Sequence, residues 1–169
     1  NGTFAFWVAM NRIGIRRESK SRWERRAPLT PEHVLRLIND HGIDFSVQPS
    51  DLRIFTNEEY ERSGARIDEE INDSDVILGI KEVPVPEIIP EKTYIFFSHT
   101  IKGQRHNMRM LKKMMNLNCT LIDYEKIVDE KGKRLIFFGW HAGVAGMVDT
   151  LWTIGRRLEW EGVRNPFSS

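Results

Sequence analysis

Apolar positions recur along this chain in two rhythms that alternate. Short apolar or alternating runs at 12–15, 45–48, 75–80, 93–97 and 119–123 have the length of strands. Between them lie stretches with helical spacing. Residues 29–42 carry Val34, Leu37 and Ile38 on one stripe, with Thr30 placed to cap the first turn, Pro31 at the first helical position and Gly42 as terminator. Asn57 is expected to cap a short acidic helix that carries Tyr60, and 104–116 repeats Met108, Leu111 and Met115 at helical intervals. The run DVILGI at 75–80 is continuously apolar after Asp75, as a strand covered on both faces of a parallel sheet should be. Pro84, Pro86 and Pro90 then break regular structure, since each removes a backbone donor, and predict a loop. Residues 127–138 read as a hairpin turning at 130–132. A long helix is expected over 141–161, with Val144, Met147, Val148, Leu151 and Leu158 inward.

Strands alternating with helices predict an α/β fold, Rossmann-like or flavodoxin-like, with a mainly parallel sheet flanked by helices and right-handed connections. Three segments follow from the patterning. Residues 1–10 read as a non-native or disordered leader ahead of Met10, residues 11–139 as the α/β domain, and residues 140–169 as a long helix leading onward. A hydrophobic share of 40% over 169 residues supports a real core. Net charge is only +1, with both signs interspersed, so no global field recruits nucleic acid or an acidic membrane. No run approaches the ~20 apolar residues of a spanning helix. The single cysteine, Cys119, cannot form an intrachain disulfide, suits a reducing compartment and reads as a core residue.

In open α/β sheets ligands settle beyond the carboxyl ends of strands, so the polar residues there are the candidates for chemistry. Lys81 and Glu82 follow DVILGI, His99 follows YIFFS, and Asp123 and Glu125 follow CTLI. Arg16 and Arg17 follow the first strand, and Arg26 lies in the loop before the first helix. A lysine ending a buried strand can exchange protons, or it can simply reach into solvent. His99 can act as a second acid or base, or serve structure alone. Arg26 can fork onto a carboxylate, or be one more solvated member of RRESKSRWERR. Glu82 and Glu125 can hold and tune the lysine. The glycines of FGWHAGVAGM do not form a GxGxxG after a strand, and the scattered histidines give no metal pattern.

The strings IGIRRESKSRWERRAPLTPEHV, ILGIKEVP, IFFSHTIKGQ, LIDYEKIVDEKGKR and FGWHAGVAGM stand in this order over residues 12–167. Together they resemble the amino-terminal domain of lysine–2-oxoglutarate reductases, which is similar to lysine-forming saccharopine dehydrogenases and, more distantly, to alanine dehydrogenase and the transhydrogenase amino-terminal domain. The resemblance implies that Arg26 binds a substrate carboxylate, that Lys81 and His99 form an acid–base pair, and that Glu82 and Glu125 flank the pair at the substrate. It implies an oxidoreductase condensing L-lysine with 2-oxoglutarate and reducing the imine to saccharopine. NADP or NAD would be bound mainly by a Rossmann-type domain absent from this chain, leaving the chain inactive alone. A homo-oligomer is compatible with the resemblance, as is the cytoplasm or mitochondrial matrix rather than secretion. Two alternatives stay open: an NAD-linked saccharopine or alanine dehydrogenase domain, and a non-catalytic module that binds an amino acid or dicarboxylate.

Overall fold

A computed structural model describes residues 12–167, so the leader expected at 1–10 lies outside the described residues. The elements run β1 (Arg12–Ile15), α1 (Pro31–His41), β2 (Asp44–Val47), α2 (Asn57–Arg62), β3 (Arg66–Ile67), β4 (Val76–Leu78), β5 (Thr93–Phe96), α3 (Arg105–Asn116), β6 (Thr120–Asp123) and α4 (Gly139–Trp160). The six strands form one sheet in the order β3-β2-β1-β4-β5-β6, parallel at every pairing. The expected α/β class is therefore what the chain adopts. Successive strand residues point to opposite faces, and the core divides accordingly. Ile15, Val34, Phe45, Val47, Tyr60 and Leu78 pack with α1 and α2, whereas Ile77, Val83, Ile88, Tyr94, Phe96, Met110 and Met114 pack with α3.

Local chemistry explains where the elements start and stop. Thr30 Oγ1 accepts the His33 N–H at 3.2 Å and so caps α1, while Gly42, at φ 63°, returns its N–H to the Ile38 carbonyl at 2.9 Å. The cap of α2 is Thr56 rather than Asn57. Thr56 and Glu59 satisfy each other's backbone N–H groups, and Asn57 Oδ1 instead accepts from Ser50 N and Arg53 in the preceding loop. Helix α3 is rotated by one position from the expected stripe. It buries Asn107, Met110 and Met114 and leaves Met115 68% exposed, because the Asn107 side chain is drawn in to donate to the Ser98 carbonyl at 2.9 Å.

The proline-rich stretch is a loop around a single 3-10 turn, Val85–Glu87. The two-residue β3 is too short to leave a periodic signal. Cys119 is half-buried against the α3 cluster, with Sγ 3.3 Å from the Ile89 carbonyl, in keeping with a core role.

Two compact units divide between Ile127 and Val128. In the second, the expected hairpin reduces to one antiparallel bridge, Val128 with Arg134, closed by a turn in which Asp129 accepts from Lys131 and Lys133. Helix α4 buries only Gly155. Val144, Met147, Val148 and Leu151, expected inward, are exposed. No helix among the described residues is long and apolar enough to cross a membrane.

Candidate functional site

The strand order turns back between β1 and β4: the chain builds β2 and β3 on one side and β5 and β6 on the other. Connections leaving the carboxyl ends of β1 and β4 therefore part, and a crevice opens between them. A cleft of about 500 Å³ occupies it. Lys20, Ser21, Trp23 and Glu24 enter from the loop after β1, Lys81 and Glu82 from the turn after β4, and His99, Gln104 and His106 from the segment after β5. A second groove of about 600 Å³ runs past Ile77 and Tyr94, but none of Arg26, Lys81, Glu82, His99 or Glu125 borders it.

Of the five residues singled out in the sequence, Lys81, Glu82 and His99 share the cleft. The Lys81 backbone N–H donates to Glu18 Oε2 at 3.0 Å, and its ammonium makes no hydrogen bond or ion pair among the described residues, although its charge acts on Glu24. Beside it, Glu82 is 8% exposed and receives Lys20 Nζ at 2.6 Å. Burial works to raise the Glu82 pKa, but the hydrogen bond and charge of Lys20, with help from its own backbone N–H and His99, hold it below the ordinary carboxylate value.

His99 ends the β5 run in the left-handed region at φ 53°. Its ring stacks on Phe97, with centroids 6.4 Å apart, and Nδ1 lies 3.4 Å from Glu125 Oε2. Lys102 Nζ is 3.3 Å from Glu125 Oε1 and 3.4 Å from His99 Nδ1, so imidazole, carboxylate and ammonium form one cluster. Glu125 supports the ring without lining the cleft. Both turns are anchored by Asp123: one oxygen accepts from Ser98 N and Oγ, at 3.2 and 2.5 Å, and the other accepts the Glu125 N–H at 2.8 Å.

Arg26 stands one layer back. Its guanidinium forks onto Glu24, Nε to Oε1 at 2.7 Å and a terminal nitrogen to Oε2 at 2.6 Å, and it is Glu24 that faces the cleft. That hydrogen bond lowers the Glu24 pKa, and Glu24 in turn raises that of Arg26. Lys20, Glu24, Trp23 and Lys102 were not singled out in the sequence. Lys20, Trp23 and Glu24 follow the carboxyl end of β1 and Lys102 that of β5, so they obey the same strand-end rule as Lys81, only deeper in each loop.

The β1–α1 connection of this domain lacks the glycine turn that cradles a dinucleotide. Although the strand order is that of nucleotide-binding sheets, residues 16–30 contain no glycine for a phosphate-cradling turn, and α1 begins with the N–H-less Pro31 behind its Thr30 cap. Among the described residues no group of histidine, cysteine and acidic side chains could hold a metal ion.

Residues 14–145 match the family described as alanine dehydrogenase/PNT, N-terminal domain. The chain is 44% identical over 155 residues to the mitochondrial alpha-aminoadipic semialdehyde synthase of Mus musculus, covering 92% of this chain and 17% of that protein. It is 45% identical over 162 residues to the alpha-aminoadipic semialdehyde synthase of Arabidopsis thaliana, covering 93% and 15%. A saccharopine dehydrogenase of the NAD(+), L-lysine-forming type from Emericella nidulans is 35% identical over 145 residues, covering 82% and 38%. The chain thus spans only a minor part of the length of each of these relatives.

Proposed function

The chain belongs to the alanine dehydrogenase/PNT N-terminal domain family, and from that premise we propose that it is the substrate-side, acid/base-supplying domain of a reductase joining L-lysine to 2-oxoglutarate. The observation that carries this reading is the convergence of Lys81 and His99, from the ends of neighbouring strands β4 and β5, on one cleft at the turning point of the sheet. The names of the relatives supply the substrate class: a semialdehyde synthase of the aminoadipate series and a lysine-forming saccharopine dehydrogenase.

In the proposed reaction the neutral ε-amine of lysine adds to the ketone carbon of 2-oxoglutarate, water leaves, and the resulting imine is reduced to the secondary amine of saccharopine. A reduced nicotinamide, NADPH or NADH, held by another part of the enzyme would supply the hydride. This domain moves the protons. Glu125 faces His99 Nδ1, which leaves Nε2 as the ring nitrogen for the ligand. The Lys81 ammonium, lacking a fixed partner, can give a proton to the oxygen as the lysine nitrogen adds, and the neutral amine it then becomes can take the proton which that nitrogen gives up. Arg26 receives a carboxylate of 2-oxoglutarate by exchange with Glu24, whose two oxygens already occupy the guanidinium fork as such a ligand would.

Lys81→Met in the full-length enzyme tests the assignment. Turnover with L-lysine and 2-oxoglutarate should fall by about 10²–10⁴, the range of general acid–base catalysis, while the fold persists. Unchanged turnover would remove Lys81 from the mechanism. Profiling the intact enzyme with saccharopine, pyruvate plus ammonia, and lysine plus 2-oxoglutarate separates this reaction from its oxidative and alanine-forming relatives.

A further inference from the structure

We infer that Glu18 is the positioning residue that aims Lys81 into the cleft, and that Arg16 and Gly79 exist in their present form to seat it. The inference rests on the proposed role of Lys81 and adds the means by which that lysine is directed.

Strand β1 runs out before β4 has finished turning. The Arg16 N–H still bonds the Leu78 carbonyl at 3.0 Å, but beyond that rung β1 offers nothing to the chain leaving β4. On the other flank β5 serves Gly79 N and the Ile80 carbonyl, at 3.0 and 3.1 Å. That leaves the N–H groups of Ile80 and Lys81, and both are taken by one carboxylate: Ile80 N donates to Glu18 Oε1 at 2.7 Å and Lys81 N to Oε2 at 3.0 Å. Two oxygens on two consecutive amides fix the peptide plane from which the Lys81 side chain departs. Since the ammonium itself has no hydrogen bond or ion pair among the described residues, the backbone is what gives this side chain its direction.

The clamp is built into the interior. The side chains of Glu18 and Arg16 are 5% and 4% exposed, and their charges lie 3.6 Å apart. Arg16 also donates to Ser19 Oγ and to Glu87 Oε2, each at 3.0 Å, so the buried anion has a cation that is itself tied to the turn after β4. The pair crosses directly over Gly79. A β-carbon there would stand 3.1 Å from Arg16 Cδ, so that side chain would have to give by a few tenths of an ångström, and it would touch Glu18 Oε1 at 3.4 Å. Burial raises the Glu18 pKa, with the two amides and Arg16 acting against it. A carboxylate ordinarily avoids such a place, and here it spends its acceptors on the amides of the cleft.

The test uses the full-length enzyme and a double-mutant cycle. Glu18→Gln keeps the shape and one acceptor oxygen but sets an NH₂ group against the second amide. kcat should fall about 10- to 100-fold, as expected for a misaimed catalytic group, with KM for both substrates within about twofold. In a Lys81→Met background the same change should lower the residual rate by less than about twofold, because no lysine is left to aim. Equal losses in both backgrounds would make Glu18 a general support of the fold and overturn the inference, as would a Glu18→Gln enzyme with normal kcat. If Glu18→Gln does not fold, Gly79→Ala disturbs the same clamp from β4 and is read by the same cycle. Full turnover of Lys81→Met alone would remove the assigned lysine role, and the inference with it; a loss there with none in Glu18→Gln removes the inference alone.

Discussion

Lys81 and His99 reach one cleft from adjacent strands, yet the chain secures them in opposite ways. At Lys81 the backbone is held, by the buried carboxylate of Glu18, and the side chain is left without a fixed partner. At His99 the side chain is held, by Glu125 and Lys102 and by stacking on Phe97, while the backbone sits in the left-handed region. The difference matches what each group needs. A flexible ammonium is one point charge whose use depends on where it points. An imidazole has two unlike nitrogens, and its use depends on which of them is already engaged.

The largest effect that bears on this contrast is that of Lys81→Met, put above at two to four orders of magnitude in turnover. A smaller one is expected at the other edge: Glu125→Gln removes the anion facing Nδ1 and should lower kcat about 10- to 100-fold. An unchanged kcat would show that the ring needs no carboxylate. Asp123→Asn strikes the framework rather than the chemistry. Asp123 serves Ser98 and Glu125 together from a buried position, so its loss should cost about 1–3 kcal/mol of unfolding free energy, read by denaturant titration. An unchanged midpoint would mean that the two turns do not depend on it.

The smallest effect concerns pH. Glu24 and Glu82 have folded pKa values below the ordinary carboxylate value of 4.5. The stability they contribute is therefore complete above that value and lost as pH falls through their lower folded values. Glu18, raised by burial, has the opposite sign: its cost is absent below 4.5 and grows as pH rises through its folded value. Arg26→Ala should flatten the acid-side decline by no more than about 1 kcal/mol, since the guanidinium is half-exposed and water screens it, and should raise KM for 2-oxoglutarate. An acid decline as steep as that of the parent would leave the Glu24–Arg26 fork without energetic weight.

Much of this arrangement is legible in the sequence, and the reasons are local. DVILGI announces a doubly covered strand, and the strand-end rule leads from it to Lys81 and Glu82. The cap of α1 follows from Thr30, Pro31 and Gly42 alone. What escapes is whatever depends on a partner outside the element itself. Thr56 displaces Asn57 as a cap because Asn57 is claimed by Ser50 and Arg53. The face of α3 turns by one residue because Asn107 is claimed by Ser98. Glu18 looks like one charge among many in RRESKSRWERR, and nothing within that string says that its partners are two amides some sixty residues later. The apolar pattern of α4 foretells a helix correctly but not its burial, because burial belongs to whatever packs against it.

The backbone at His99 has a further consequence for how this position can change. A side chain with a β-carbon held at φ 53° carries a conformational penalty of about 1–2 kcal/mol, which glycine escapes and asparagine partly escapes. Selection for thermal tolerance alone would therefore drift this site toward glycine or asparagine, whereas selection for turnover would hold the histidine. A library of variants sorted separately by each criterion should diverge here more sharply than at the neighbouring Ser98 or Thr100.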